Sequence, residues 1–78
     1  MEPSILRQQL TWAVQHIYEC EHRIARLHEF VSCLQQSGKD ATSVLNQLQA
    51  EERWLAILEL DKARLRATLE YFLYHGEK

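Results

Sequence analysis

The chain has 78 residues, 46% of them hydrophobic, with two glycines, one proline and a formal charge of −2. This length holds one domain at most, with a marginal core, because so short a chain buries only roughly 60% of its unfolded surface. A large enzyme with its own enclosed cavity is excluded on size, and the near-neutral charge makes nucleic acid an unlikely ligand, since its binders carry a strongly basic footprint.

Ala, Glu, Lys, Leu and Arg supply 37 of the 78 residues, near the ~50% share that marks coiled coils and long helices. The opening residues MEPSILRQQL lack a basic segment followed by an apolar one, so no secretory signal is expected. Pro3 suits a first helical position, where its missing N–H and fixed φ cost nothing. From Ser4 to Ser37 there is neither glycine nor proline, which predicts a first helix over about 4–37. Along it Leu6, Leu10, Ala13, Ile17, Cys20, Ile24, Leu27, Val31 and Leu34 alternate by four and three. A mean spacing of 3.5 is the signature of a coiled-coil seam.

Gly38 suits the left-handed residue just past a helix C-terminus, and Asp40, Thr42 and Ser43 offer N-caps for a second helix. A turn over 38–40 is short enough to force antiparallel neighbours. The second helix is predicted over about 41–75, with Gly76 as its stop. Its seam runs Val44, Leu48, Glu51, Leu55, Leu58, Lys62, Leu65, Leu69 and Phe72. Each arm of ~35 residues spans about 50 Å at 1.5 Å per residue. Folding at Lys39 sets Leu34 opposite Leu45 and Ile24 opposite Leu55, with Glu51 near His28 and Lys62 near Glu21. These polar pairs would fix register at some cost in stability. The fold class is thus all-α, a single domain over 1–78 built as a long antiparallel αα-hairpin.

Two helices share one contact line and need only a narrow apolar stripe. Trp12, Val14, Tyr18 and Phe30 on the first arm lie off that line, as do Trp54, Ile57, Leu60, Ala67, Tyr71 and Tyr74 on the second. Together they exceed the ~400 Å² of apolar patch that a soluble monomer tolerates. A homodimeric four-helix bundle covers them most simply, because closed two-fold symmetry is the commonest oligomer. A monomer with a wet apolar face and a covering partner of different sequence are the alternatives. Trp12, Tyr18, Phe30, Trp54, Ile57, Tyr71, Phe72 and Tyr74 are the candidate interaction residues. At the open end Ile5 and Leu6 fall opposite Leu73 and Tyr74, an aromatic-rich group that closes the bundle or docks another protein.

Glu19-x-x-His22 is the one arrangement with a metal-binding reading, since an i, i+3 carboxylate–imidazole pair serves di-iron and di-manganese bundles. With Ile17 and Cys20 on the seam, however, Glu19 and His22 point outward. His16 and Cys20, one turn apart, would begin a zinc site but lack the further ligands zinc needs, and Cys20 reads as core. Some 20 Å of helix separates Cys20 from Cys33, too far for a disulfide, and two free thiols suit a reducing cytoplasm. No nucleophile–base pair or phosphate loop is present. The arginines are interleaved with acids, as on a salt-bridged helix surface. No enzymatic activity, cofactor or membrane association is expected.

The turn Leu34-Gln-Gln-Ser-Gly-Lys-Asp-Ala-Thr-Ser-Val-Leu45, preceded by Glu21-His22-Arg23-Ile24-Ala25-Arg26, resembles that of small uncharacterised helical proteins common in alphaproteobacteria. The resemblance covers most of the chain and implies a bacterial, cytoplasmic αα-hairpin. It brings no catalytic residue to carry over. The function expected is that of a non-enzymatic interaction or oligomerisation module, with a ferritin-like metal bundle using Glu19 and His22 as the alternative.

Overall fold

A computed structural model describes residues 3–75 as two helices, α1 (Pro3–Gln36) and α2 (Thr42–His75), with no strand among the described residues. Gly76 and the first two residues lie outside the described part. The hairpin is a rod with Cα extents of 64 × 14 × 14 Å and a radius of gyration of 17.8 Å. A compact globule of this length would have a radius of roughly 11–12 Å, so the arms stay extended and touch only each other.

The turn forms through paired backbone bonds. Gly38 takes φ +72°, the left-handed conformation that costs an L-residue with a Cβ energy. This lets the Lys39 N–H reach the Leu34 carbonyl (2.8 Å) and the Gly38 N–H reach the Gln35 carbonyl (3.1 Å). These two bonds make a Schellman motif and satisfy carbonyls the helix end leaves free. Across the turn, Asp40 Oδ1 accepts from the Thr42 N–H (3.0 Å) and from the Thr42 hydroxyl (2.7 Å). Its carboxylate thereby caps α2 from just outside the helix. The connection is longer than the sequence suggests, because Ser37 already leaves the helix and Ala41 is buried beneath the turn before α2 begins.

Burial follows the seam. All nine seam positions of α1 are buried or half-buried. On α2 the nine seam positions, Glu51 and Lys62 included, are the only ones not exposed. The middle of the core is Ile17, Cys20 and Leu58, with Ile24 and Leu55 packed against them. Near the turn Val44 takes the inward place and Leu45 is exposed. Leu45 therefore does not lie in the seam opposite Leu34 as the folding-back arithmetic has it.

The polar seam pairs also differ from expectation. Glu51 does not pair with His28; its Oε1 accepts from Arg23 Nε at 3.1 Å, and His28 Nε2 instead lies 3.8 Å from Glu52. Arg23 and His28 flank opposite sides of the α1 seam, and the guanidinium of Arg23 is a permanent cation with a fork of donors suited to a carboxylate. Lys62 forms no ion pair with Glu21.

Candidate functional site

The hairpin buries eight residues and leaves twelve large hydrophobic side chains exposed among the described residues. Trp12, Tyr18, Phe30, Trp54, Ile57, Tyr71 and Tyr74, all singled out from sequence, are among the exposed set. Phe72 is not: it occupies the last seam position of α2 and is half-buried. Its ring meets that of Tyr71 edge to face at 6.0 Å, so it supports the exposed surface from beneath. The open end is also divided, with Leu6 buried and Ile5, Leu73 and Tyr74 exposed.

Several exposed rings are held in place by histidines one turn away. Trp12 stacks on His16 with ring centroids 3.9 Å apart, and His16 Nδ1–H donates to the Trp12 carbonyl at 2.9 Å. Tyr18 meets His22 edge-on at 4.5 Å, and Tyr71 leans on His75 at 4.5 Å. The i, i+4 spacing brings these side chains together on one helix face. A ring already ordered in the free chain loses less entropy when a partner covers it.

An open groove of about 590 Å³ runs between the arms toward the open end, lined by Gln8, Gln9, Trp12, Ala13, Asp61, Arg64 and Leu65. It is an amphipathic trough, with Trp12 and Leu65 as apolar lining and Asp61 and Arg64 supplying opposite charges. It lacks the enclosure that buries a small ligand.

The most specific polar constellation crosses the middle of the seam. The Cys20 thiol lies 3.4 Å from both the carbonyl and Oε1 of Glu51, which also holds Arg23. Burial first, and then Glu51, push the Cys20 thiol pKa up, and the Glu51 carboxylate raises that of Arg23. A thiol held protonated is a poor nucleophile and a poor metal ligand, so the cluster acts as a polar clasp.

Glu19 and His22 are both exposed, on a surface shared with Tyr18, Arg23 and Arg26. Two guanidinium groups beside them oppose a bound cation. Among the described residues no group of three or more His, Cys, Asp or Glu side chains is placed to hold a metal ion. His16 is committed to Trp12 and Cys20 to Glu51, which separates that second pair. No helix in the described part is long and apolar enough to cross a membrane. What the molecule offers is a thin two-helix rod with large hydrophobic side chains set among polar ones on its exterior, and no protein-family model, curated protein or solved structure matches the chain.

Proposed function

We propose that the chain is a non-enzymatic interaction and oligomerisation module in which two hairpins join as a homodimeric four-helix assembly. The observation that carries this reading is the imbalance between eight buried residues and twelve exposed large hydrophobic ones. A second copy supplies an equal apolar surface, and a two-fold contact is self-complementary and closes at two copies. Equal transverse extents of 14 Å support coiled-coil winding. Two straight parallel helices would be broad in one direction and narrow in the other, whereas arms that wind about each other even the two out. The free thiols Cys20 and Cys33 suit a reducing cytoplasm.

Sedimentation equilibrium at low micromolar concentration tests the reading. The expected result is about twice the 9.3 kDa chain mass, and a well-folded monomer overturns it. Metal analysis of the same sample tests the ferritin-like alternative. Stoichiometric iron, manganese or zinc, lost when Glu19→Gln and His22→Ala are combined, would replace this reading with that one.

A further inference from the structure

On α2 the exposed residues Ile57, Leu60, Arg64, Ala67, Tyr71 and Tyr74 repeat by three and four, the same rhythm as the buried seam but about 150° round the helix from it. Five of the six are apolar. Ile57, Leu60, Tyr71 and Tyr74 are 52%, 55%, 61% and 82% exposed. The corresponding outward line of α1 runs Ile5, Gln8, Trp12, Gln15, Glu19, His22 and Arg26, with two apolar residues in seven. A helix whose surface only meets water has no need of a second heptad line. The contrast between the arms singles out α2.

We infer that this line is a second seam, and that its occupant is the same line of a second copy, running antiparallel. The inference rests on the self-association proposed above and names its surface. Charge selects the direction. Parallel pairing would set each residue against itself and put Arg64 and the partner's Arg64 in one layer of the seam, whereas the antiparallel register puts them in successive layers. In the antiparallel register centred on the line, Ile57 lies opposite the partner's Tyr74 and Leu60 opposite the partner's Tyr71. Arg64 then lies opposite the partner's Ala67. The small side chain leaves room for the arginine stem, and the partner's Glu70, one turn farther on, can receive the guanidinium.

The area suffices. At their observed exposures the four large side chains present roughly 500 Å² per copy, so two copies bury about 1,000 Å² before flanking residues are counted. That is the lower bound for a specific interface. The four helices then stand side by side with the two α2 helices in the middle.

The test uses the full chain with Leu60→Glu and Tyr71→Glu combined, and separately with the exposed α1 residues Gln15→Glu and Ser32→Glu combined. Sedimentation equilibrium should show the α2 pair raising the dimer dissociation constant by more than about a hundred-fold, with helicity by circular dichroism retained. The α1 pair should leave the dimer in place. A dimer that survives the α2 changes overturns this inference and leaves self-association standing, whereas a monomeric wild type removes both. Direction is read from cross-linking in a Cys33→Ser background. Chains with Ile57→Cys and chains with Tyr74→Cys should form a disulfide-linked dimer only when mixed and oxidised. Covalent dimers from either variant alone indicate parallel pairing and overturn the assigned geometry, whatever the folding of the glutamate variants.

Discussion

Gly38 isolates one physical effect almost completely. Its φ is +72°, and a Cβ built there would meet nothing within 4 Å. A substitution is therefore penalised by backbone conformation alone. Gly38→Ala is expected to cost about 1–2 kcal/mol, the penalty for an L-residue in the left-handed region. Gly38→D-Ala has the opposite chirality, so positive φ is its relaxed state. It should stabilise by about 0.4–1 kcal/mol, because it removes unfolded-state freedom without adding strain. At roughly 4–8 °C per kcal/mol for a chain of this size, the two variants should lie on either side of the parent and differ in Tm by about 6–24 °C. Native chemical ligation at Cys33 gives access to the D-residue. The melts must be run at one concentration, since self-association makes Tm concentration-dependent. If the two enantiomers destabilise equally, crowding controls the site and the reasoning from φ is refuted.

Leu58 is fully buried at the centre of the core, so Leu58→Ala should cost about 3 kcal/mol in urea unfolding. A loss below about 1 kcal/mol would show that the seam does not organise the fold. Glu51→Leu replaces a partly exposed ion pair in the seam by an apolar side chain; it should raise the melting temperature, and a lower one would mean that the clasp stabilises the hairpin. Hydrogen bonds from the Thr42 hydroxyl and N–H hold the Asp40 carboxyl below its ordinary range. Its contribution is thus present above the unfolded carboxylate pKa and is lost as pH falls through the lower folded value. Asp40→Asn should flatten that part of an acid titration followed by circular dichroism, and an unchanged acid limb would count against the cap. Cys20, with its raised pKa and full burial, should resist iodoacetamide while exposed Cys33 is alkylated. Because the raised value stabilises the protonated fold, that contribution should fade as pH rises past the unfolded thiol pKa of about 8.5. Equal labelling of both thiols by mass spectrometry would contradict the buried assignment.

Much of the fold is written in local pattern. Ile17, Cys20 and Ile24 can be placed in the core from spacing alone, because a helix projects residues three and four apart onto one face. Lys62 and Glu51 confirm that rhythm outweighs polarity: both stay in the seam although neither is apolar. The partner of Glu51 is less legible. A carboxylate on the seam can turn to either flank, and the choice depends on the axial offset of the two arms, which spacing within each helix does not determine. Val44 lies inside and Leu45 outside as the seam rhythm of α2 requires, and only the arithmetic of folding at Lys39 misplaces Leu45. Phe72 satisfies both an aromatic-patch pattern and a seam pattern, and only packing separates the two. The exposed residues of α2 are visible individually in the sequence, but their shared line becomes evident once the seam fixes which way each side chain faces.

The antiparallel arms bring the ends of α1 and α2, at Pro3 and His75, to the same end of the rod. Tension applied between those ends would not shear the whole seam at once. It would open the molecule as a zipper, one inter-helix layer at a time from the aromatic end, with the Schellman turn as the last element to give way. Each layer resists alone, so the hairpin should open at low force and re-close from the turn. A second copy seated along α2 would brace one arm against bending without changing the order in which the layers part.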